Sequence, residues 1–199
     1  YAMSAQTNSS DKKTKKSKTI GQVFTPQYIV EEMLDYSEYY GPSIIEKHII
    51  DNSCGDGAFL KVVVARYCEE SIKSGRNKEQ IKQDLEHYIH GIDTDSVAYQ
   101  QCLENLSHVA SGFGIEHVKW DLYNQSSLSM KKFNGKMDFV VGNPPYVRVH
   151  NLDASYDEVK QYKFANGGMT DLYLAFFELG FKMLGTNGKL CYITETESY

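Results

Sequence analysis

The chain is poor in the residues that staple or puncture a fold. Its four cysteines, at 54, 68, 102 and 191, show no C-x-x-C spacing and no matching histidine set. That argues against a zinc site and a disulfide framework, and reduced thiols with no bound metal are the expectation. No apolar run approaches the roughly 18 to 20 residues that cross a bilayer, and no charged-then-apolar leader opens the sequence, so a cytoplasmic protein with no membrane partner is expected. Basic charge is also short, with 21 Lys and Arg against 26 Asp and Glu and a formal charge of −5. Residues 11–18 alone hold five lysines and one aspartate, so the remainder is more acidic still. Phosphate contacts usually demand clustered Lys and Arg; any nucleic acid must then be gripped by a local patch or, the reading we favour, by another part of the protein. Proline is scarce too: of four in 199 residues, two stand side by side at 144 and 145.

What is present is enough apolar residue, 41%, for one substantial core. Residues 1–19 are polar, Ser/Thr/Lys-rich and without hydrophobic periodicity, which predicts a disordered tail before a folded domain over 20–199. Thr25 and Pro26 read as the N-cap and first residue of a helix carrying Ile29, Val30, Met33 and Leu34 on one face. Beyond it, strands expected at 48–51, 88–93, 116–120, 137–141 and 189–194 alternate with helices at 58–74, 78–86, about 96–110 and 171–184. Asp95 or Ser96 can cap the third of these. This cadence predicts an α/β fold, three αβα layers around a mostly parallel sheet, with ligands at the C-terminal strand ends. Five strands are counted by residue 199, and an unpaired edge near 189–194 would invite self-association.

Asn143-Pro144-Pro145-Tyr146 follows the apolar run 137–142 and is the most specific feature. An exocyclic amine delocalises its lone pair into a ring or carbonyl and is a poor nucleophile, so acceptors must pull on its two N–H groups. The Asn143 side-chain oxygen and the Pro144 carbonyl can do so, the prolines stiffen the turn and withdraw their own donors, and Tyr146 offers a flat stacking face. The residue pattern therefore points to chemistry on an amino nitrogen.

A second motif joins the first strand to its helix: Asp51-Asn52-Ser53-Cys54-Gly55-Asp56-Gly57-Ala58-Phe59. Gly55 and Gly57 let the backbone approach a ligand, and the helix start offers unpaired N–H groups and a partial positive charge. Leu60 stands where a dinucleotide fingerprint would place its third glycine. Asp93, ending the second strand, can accept both hydroxyls of a ribose. Asp121, expected just past the third strand, is read either as an acceptor for an adenine amino group or as a turn residue.

In this order the motifs resemble the S-adenosylmethionine-dependent amino-methyltransferases, and most closely the gamma-type DNA N6-adenine methyltransferases of restriction–modification systems, over about residues 20–195. The resemblance implies a Rossmann-like methyltransferase fold. Gly21-Gln22-Val23-Phe24-Thr25-Pro26 is similar to the segment that closes over the methionine end of the cofactor, with Val23 and Thr25 as contacts. Asp51, Ser53, Gly55, Gly57 and Phe59 belong to its first motif, Asp93 binds ribose, Asp121 binds adenine, and Asn143 touches both cofactor and substrate. Asn143 to Tyr146 then form the catalytic corner. The implied partner is double-stranded DNA with the target adenine flipped out, beside a restriction endonuclease or specificity subunit; the target-recognition domain and last sheet strands are not seen in these 199 residues. Glutamine-N5 or RNA amino-methylation, or a non-catalytic cofactor-binding subunit, are the alternatives.

Overall fold

The computed structural model describes residues 25–145, 158, 161–163 and 172–193. The expected tail 1–19, Val23 and Tyr146 lie outside the described residues. Helix α1 spans Gln27–Tyr36, β1 Ile49–Asp51, α2 Ala58–Lys73, α3 Lys78–Tyr88, β2 Ile89–Asp93, α4 Ser96–Gly112, β3 Asp121–Asn124, β4 Met137–Gly142, α5 Leu172–Met183 and β5 Leu184–Tyr192. The strands form one sheet in the order β3-β2-β1-β4-β5, and every pairing is parallel.

Consecutive strand residues face opposite sides, so a sheet covered on both faces needs apolar residues at every position. Ile49 and Ile50 show it: both are fully buried, the first in a core with α1, α2, α3 and α4, the second in a core with α5 and the 128–137 region. Full burial of one such side chain stabilises by about 1.5–3 kcal/mol. Three layers result. Helix α3 begins with a reciprocal capping box in which Asn77 and Gln80 satisfy each other's backbone N–H, and its Asp84 is buried with Tyr67 and Arg76 as partners.

Three sequence expectations are corrected. Thr25 is not the N-cap: Pro26 holds that position, without a side-chain cap bond, and α1 begins at Gln27. The third strand is not 116–120 but Asp121–Asn124. His117 adopts a positive φ of 56° and the Lys119 N–H is taken by Glu86, so the earlier stretch is turned away from the sheet. The last strand starts at Leu184, five residues early, because Gly185 and Gly188 let it lie close against the carbonyls of 135–137, with a register shift between Met137 and Phe139.

Candidate active site

The C-terminal ends of β1, β2 and β4 meet around a cavity of about 390 Å³, within the range of roughly 300–1,000 Å³ usual for small-molecule sites. Its lining brings together Thr25, Asp51, Ser53, Gly55, Phe59 and Asn143, which the sequence marks as functional, and adds Asp95, Val97 and Gln101 from the start of α4. Gly57 forms the N-cap of α2 in the left-handed region, φ 96°, and a Cβ there would stand 3.0 Å from Cys102 Sγ. Glycine is what allows the turn to close onto α4 while the helix start faces the cavity.

Asp51 is 1% exposed and accepts the Ser53 N–H at 3.0 Å. Burial pushes its carboxyl up to about 8, with Asp93 adding to the effect and the Ser53 N–H opposing it. A buried acid of this kind is made anionic by a cation placed against it. The Ser53 hydroxyl beside it is buried and has no hydrogen-bond partner among the described residues, an incomplete arrangement that a polar ligand would complete. On the floor, Cys54 is hydrogen-bonded with Cys102, and that contact together with burial holds its thiol well above the usual range; all four cysteines are free.

Asp93 lies beneath the lining, 4% exposed. Its Oδ2 accepts the Gly55 N–H and its Oδ1 the Asp95 N–H, each at 2.8 Å. Asp95 in turn caps α4 through Val97 and Ala98 and also lines the cavity, a double role that its capping signal in the sequence half concealed. Asn143 lies just past β4, its side-chain Nδ2 donating to Thr25 Oγ1 at 3.2 Å. Pro144 is buried and Pro145 half-buried behind it.

Asp121 is not brought to the cavity. As the first residue of β3 it pairs in register with His90, and Asn124 is the residue level with Asp93. Its carboxylate meets His90 Nδ1 at 2.5 Å and accepts from the Tyr123 hydroxyl at 2.6 Å. Burial works against ionisation there, but these bonds outweigh it and hold the carboxyl below its usual value. The expected adenine acceptor is thus occupied on the far side of the strand end, and Asn124 at the end of β3 donates its side-chain amide to the Asp93 carbonyl at 2.9 Å. Among the described residues, no group of three or more His, Cys, Asp or Glu could hold a metal ion, and no helix is long and apolar enough to cross a membrane.

Residues 48–199 match the Eco57I restriction-modification methylase family. The chain belongs to it. The Type II methyltransferase M.BstVI of Geobacillus stearothermophilus is 31% identical over 185 residues, covering 85% of this chain and 32% of that protein. The chain therefore spans about a third of the length of the curated relatives it matches. In fold it is similar to the DrdV–DNA complex, with a TM-score of 0.64 at 16% identity, covering 85% of this chain and 20% of that one. It is also similar to a Listeria monocytogenes protein assigned to the class I S-adenosylmethionine-dependent methyltransferases, with a TM-score of 0.55 at 19% identity, covering 83% and 43%. The fold of this family member is the Rossmann-like one of S-adenosylmethionine-dependent methyltransferases, and the cavity fits that cofactor: a buried acid for a cation, an unpartnered Ser53 hydroxyl, a helix start, two further acids, and apolar contact from Phe59 and Val97.

Proposed function

We propose that this chain is the catalytic region of a modification enzyme that transfers a methyl group from S-adenosylmethionine to the N6 amino group of adenine in DNA, within a restriction–modification system. One observation carries the reading: Asn143, at the end of β4, lines the same cavity as Asp51, Ser53 and Gly55 at the end of β1, so an amine-activating corner adjoins a site for a cationic ligand.

S-adenosylmethionine would be held by Asp51 against a positive centre, by the Ser53 hydroxyl and the α2 start on its polar end, and by Asp93 and Asp95 near its ribose. When bound it supplies a methyl group on a positive sulfur. Asn143 and the Pro144 carbonyl accept from the two N–H groups of the substrate amine, favouring a pyramidal nitrogen whose lone pair is exposed for in-line attack. Tyr146, by resemblance, stacks on the base. Adenine N6 lies inside the duplex stack, and extruding the base costs about a few kcal/mol; the acidic composition of the chain supports a DNA grip supplied elsewhere in the protein.

The test is transfer of labelled methyl by the complete protein to duplex DNA, RNA and a glutamine-containing release factor offered in parallel, followed by nucleoside analysis of the product. N6-methyladenine in DNA is the expected outcome. Label confined to RNA or protein, or to cytosine N4, would overturn the proposal.

A further inference from the structure

Resting on the function proposed above, we infer that Thr25 is a positioning residue for methyl transfer: its hydroxyl accepts the Asn143 amide N–H and so sets which end of that amide is offered to the substrate amine. The two residues are 118 positions apart and meet through Asn143 Nδ2 to Thr25 Oγ1 at 3.2 Å.

A threonine before a helix ordinarily turns its hydroxyl onto the first free backbone N–H groups. Thr25 does not. The N-cap position belongs to Pro26, with no side-chain cap bond, and the ring of Pro26 restricts Thr25 to extended backbone. Its side chain is thereby aimed across to β4 rather than along α1.

The mount is firm on both sides. Thr25 is 7% exposed, and α1 is anchored by fully buried Val30 and Leu34 and by Arg66, which bonds the Glu31 carbonyl and pairs with Asp35 at 2.7 Å. Asn143 is held between Gly142, where no Cβ would fit, and the stiff Pro144-Pro145 pair.

Chemistry then distinguishes the amide's two ends. An amine that must be activated presents hydrogens, so only the carbonyl end of Asn143 can help it; the NH2 end would meet hydrogens with hydrogens. A half-turn about the last side-chain bond exchanges the ends, and an acceptor fixed at Thr25 opposes that turn. Loss of the acceptor removes the Thr25 share of that restraint and raises the population of the unproductive orientation.

The experiment compares Thr25→Val, which keeps the shape and removes the hydroxyl, with Thr25→Ser, which restores it, in the complete protein. Thermal melts establish folding, and Thr25→Ala is the second variant should valine not fold. We expect Thr25→Val to lower kcat about 10- to 100-fold, the order seen when one well-placed polar contact is lost, with cofactor Kd and the KM for acceptor within about twofold, and Thr25→Ser to recover most of the rate. A readout apart from turnover is binding to duplexes carrying adenine or unsubstituted purine at the target: wild type should prefer adenine, and Thr25→Val should lose the preference.

An unchanged rate in Thr25→Val overturns the inference. A faster rate does so too, because the hydroxyl would then be donating to Asn143 and competing with substrate. Cofactor affinity falling as far as kcat would overturn the positioning role and leave Thr25 with only the cofactor contact that the resemblance implies. The comparison is run on whichever amino acceptor the wild type methylates. Methylation of RNA or protein alone would sink the DNA reading while leaving the Thr25 comparison decisive, and transfer to no acceptor would sink both.

Discussion

Gly55 donates its backbone N–H to Asp93 Oδ2 at 2.8 Å, so the turn after β1 is pinned by the acid that ends β2. The same carboxylate accepts the Asp95 N–H through its other oxygen. Asp93 therefore shapes two loops of the cavity.

Asn143→Ala and Asp93→Asn should separate chemistry from binding. Asn143→Ala removes the acceptor proposed for the reacting nitrogen, and transfer should fall by at least about 10²-fold with cofactor Kd changed little. Asp93→Asn turns an NH2 toward a backbone N–H, at a cost of about 1–3 kcal/mol, and should weaken cofactor binding first. Calorimetric titration beside single-turnover rates checks this; equal loss of cofactor affinity in both variants would contradict the division of roles.

Asp51 should make stability and cofactor binding depend on pH. Its carboxyl is raised from 3.8 in the unfolded chain to about 8 in the fold, so between these values the folded state holds a proton that the unfolded chain has lost. Its contribution is fully present below pH 4 and is lost as pH rises through about 8. The cofactor-free protein should melt at progressively lower temperature across that window, and Asp51→Asn should flatten the curve. A cation favours the ionised form, so cofactor affinity should rise from pH 6 to 8 and binding near pH 7 should release protons, measurable in buffers of different ionisation enthalpy. A pH-independent affinity would count against Asp51 facing the positive centre.

Gly142 has φ 149°, and a Cβ there would come within 2.7 Å of Asp51 Oδ1. Gly142→Ala should displace the Asp51 carboxylate and strain β4, with a loss of about 1–3 kcal/mol in denaturant titration and a weaker cofactor complex. Unaltered cofactor affinity would show that β4 and β1 need not approach so closely.

Tyr192→Phe should cost stability. The Tyr192 hydroxyl accepts from Asn52 Nδ2 at 2.5 Å and donates to the Phe176 carbonyl at 3.2 Å, tying β1, β5 and α5 together. Without it the buried amide keeps only the weak Met183 Sδ acceptor at 3.9 Å, a loss of about 1–3 kcal/mol. Urea unfolding of the variant checks the size, and a change under about 0.5 kcal/mol would mean that Asn52 finds another partner.

Much of this site was legible from residue order. The Gly-rich turn, the acid ending β2 and the Asn-Pro-Pro corner each depend on local backbone chemistry, and Asp51, Ser53, Gly55, Phe59, Thr25 and Asn143 do meet in one cavity. What failed was non-local. Asp121 looked like a strand-end acid because 116–120 carries an apolar, strand-like pattern, yet the bond from Glu86 to Lys119 draws that stretch off the sheet and His90 claims Asp121. Thr25 looked like a helix cap because its partner lies 118 positions away. The last strand was expected from 189, and only its start at Leu184 was hidden by Gly185 and Gly188, whose place in the strand shows only when β4 is laid beside them.

The Thr25 to Asn143 contact also has a bearing on how the protein matures. Closing a loop over so long an interval loses entropy that one hydrogen bond does not offset, so the contact depends on β4 pairing with β1. A ribosome-bound chain that has emerged only through β1 and α2 lacks the Asp93 acceptor that pins the turn after β1, so neither that turn nor the Asn143 corner reaches its final form until β2 and β4 have taken their places beside β1.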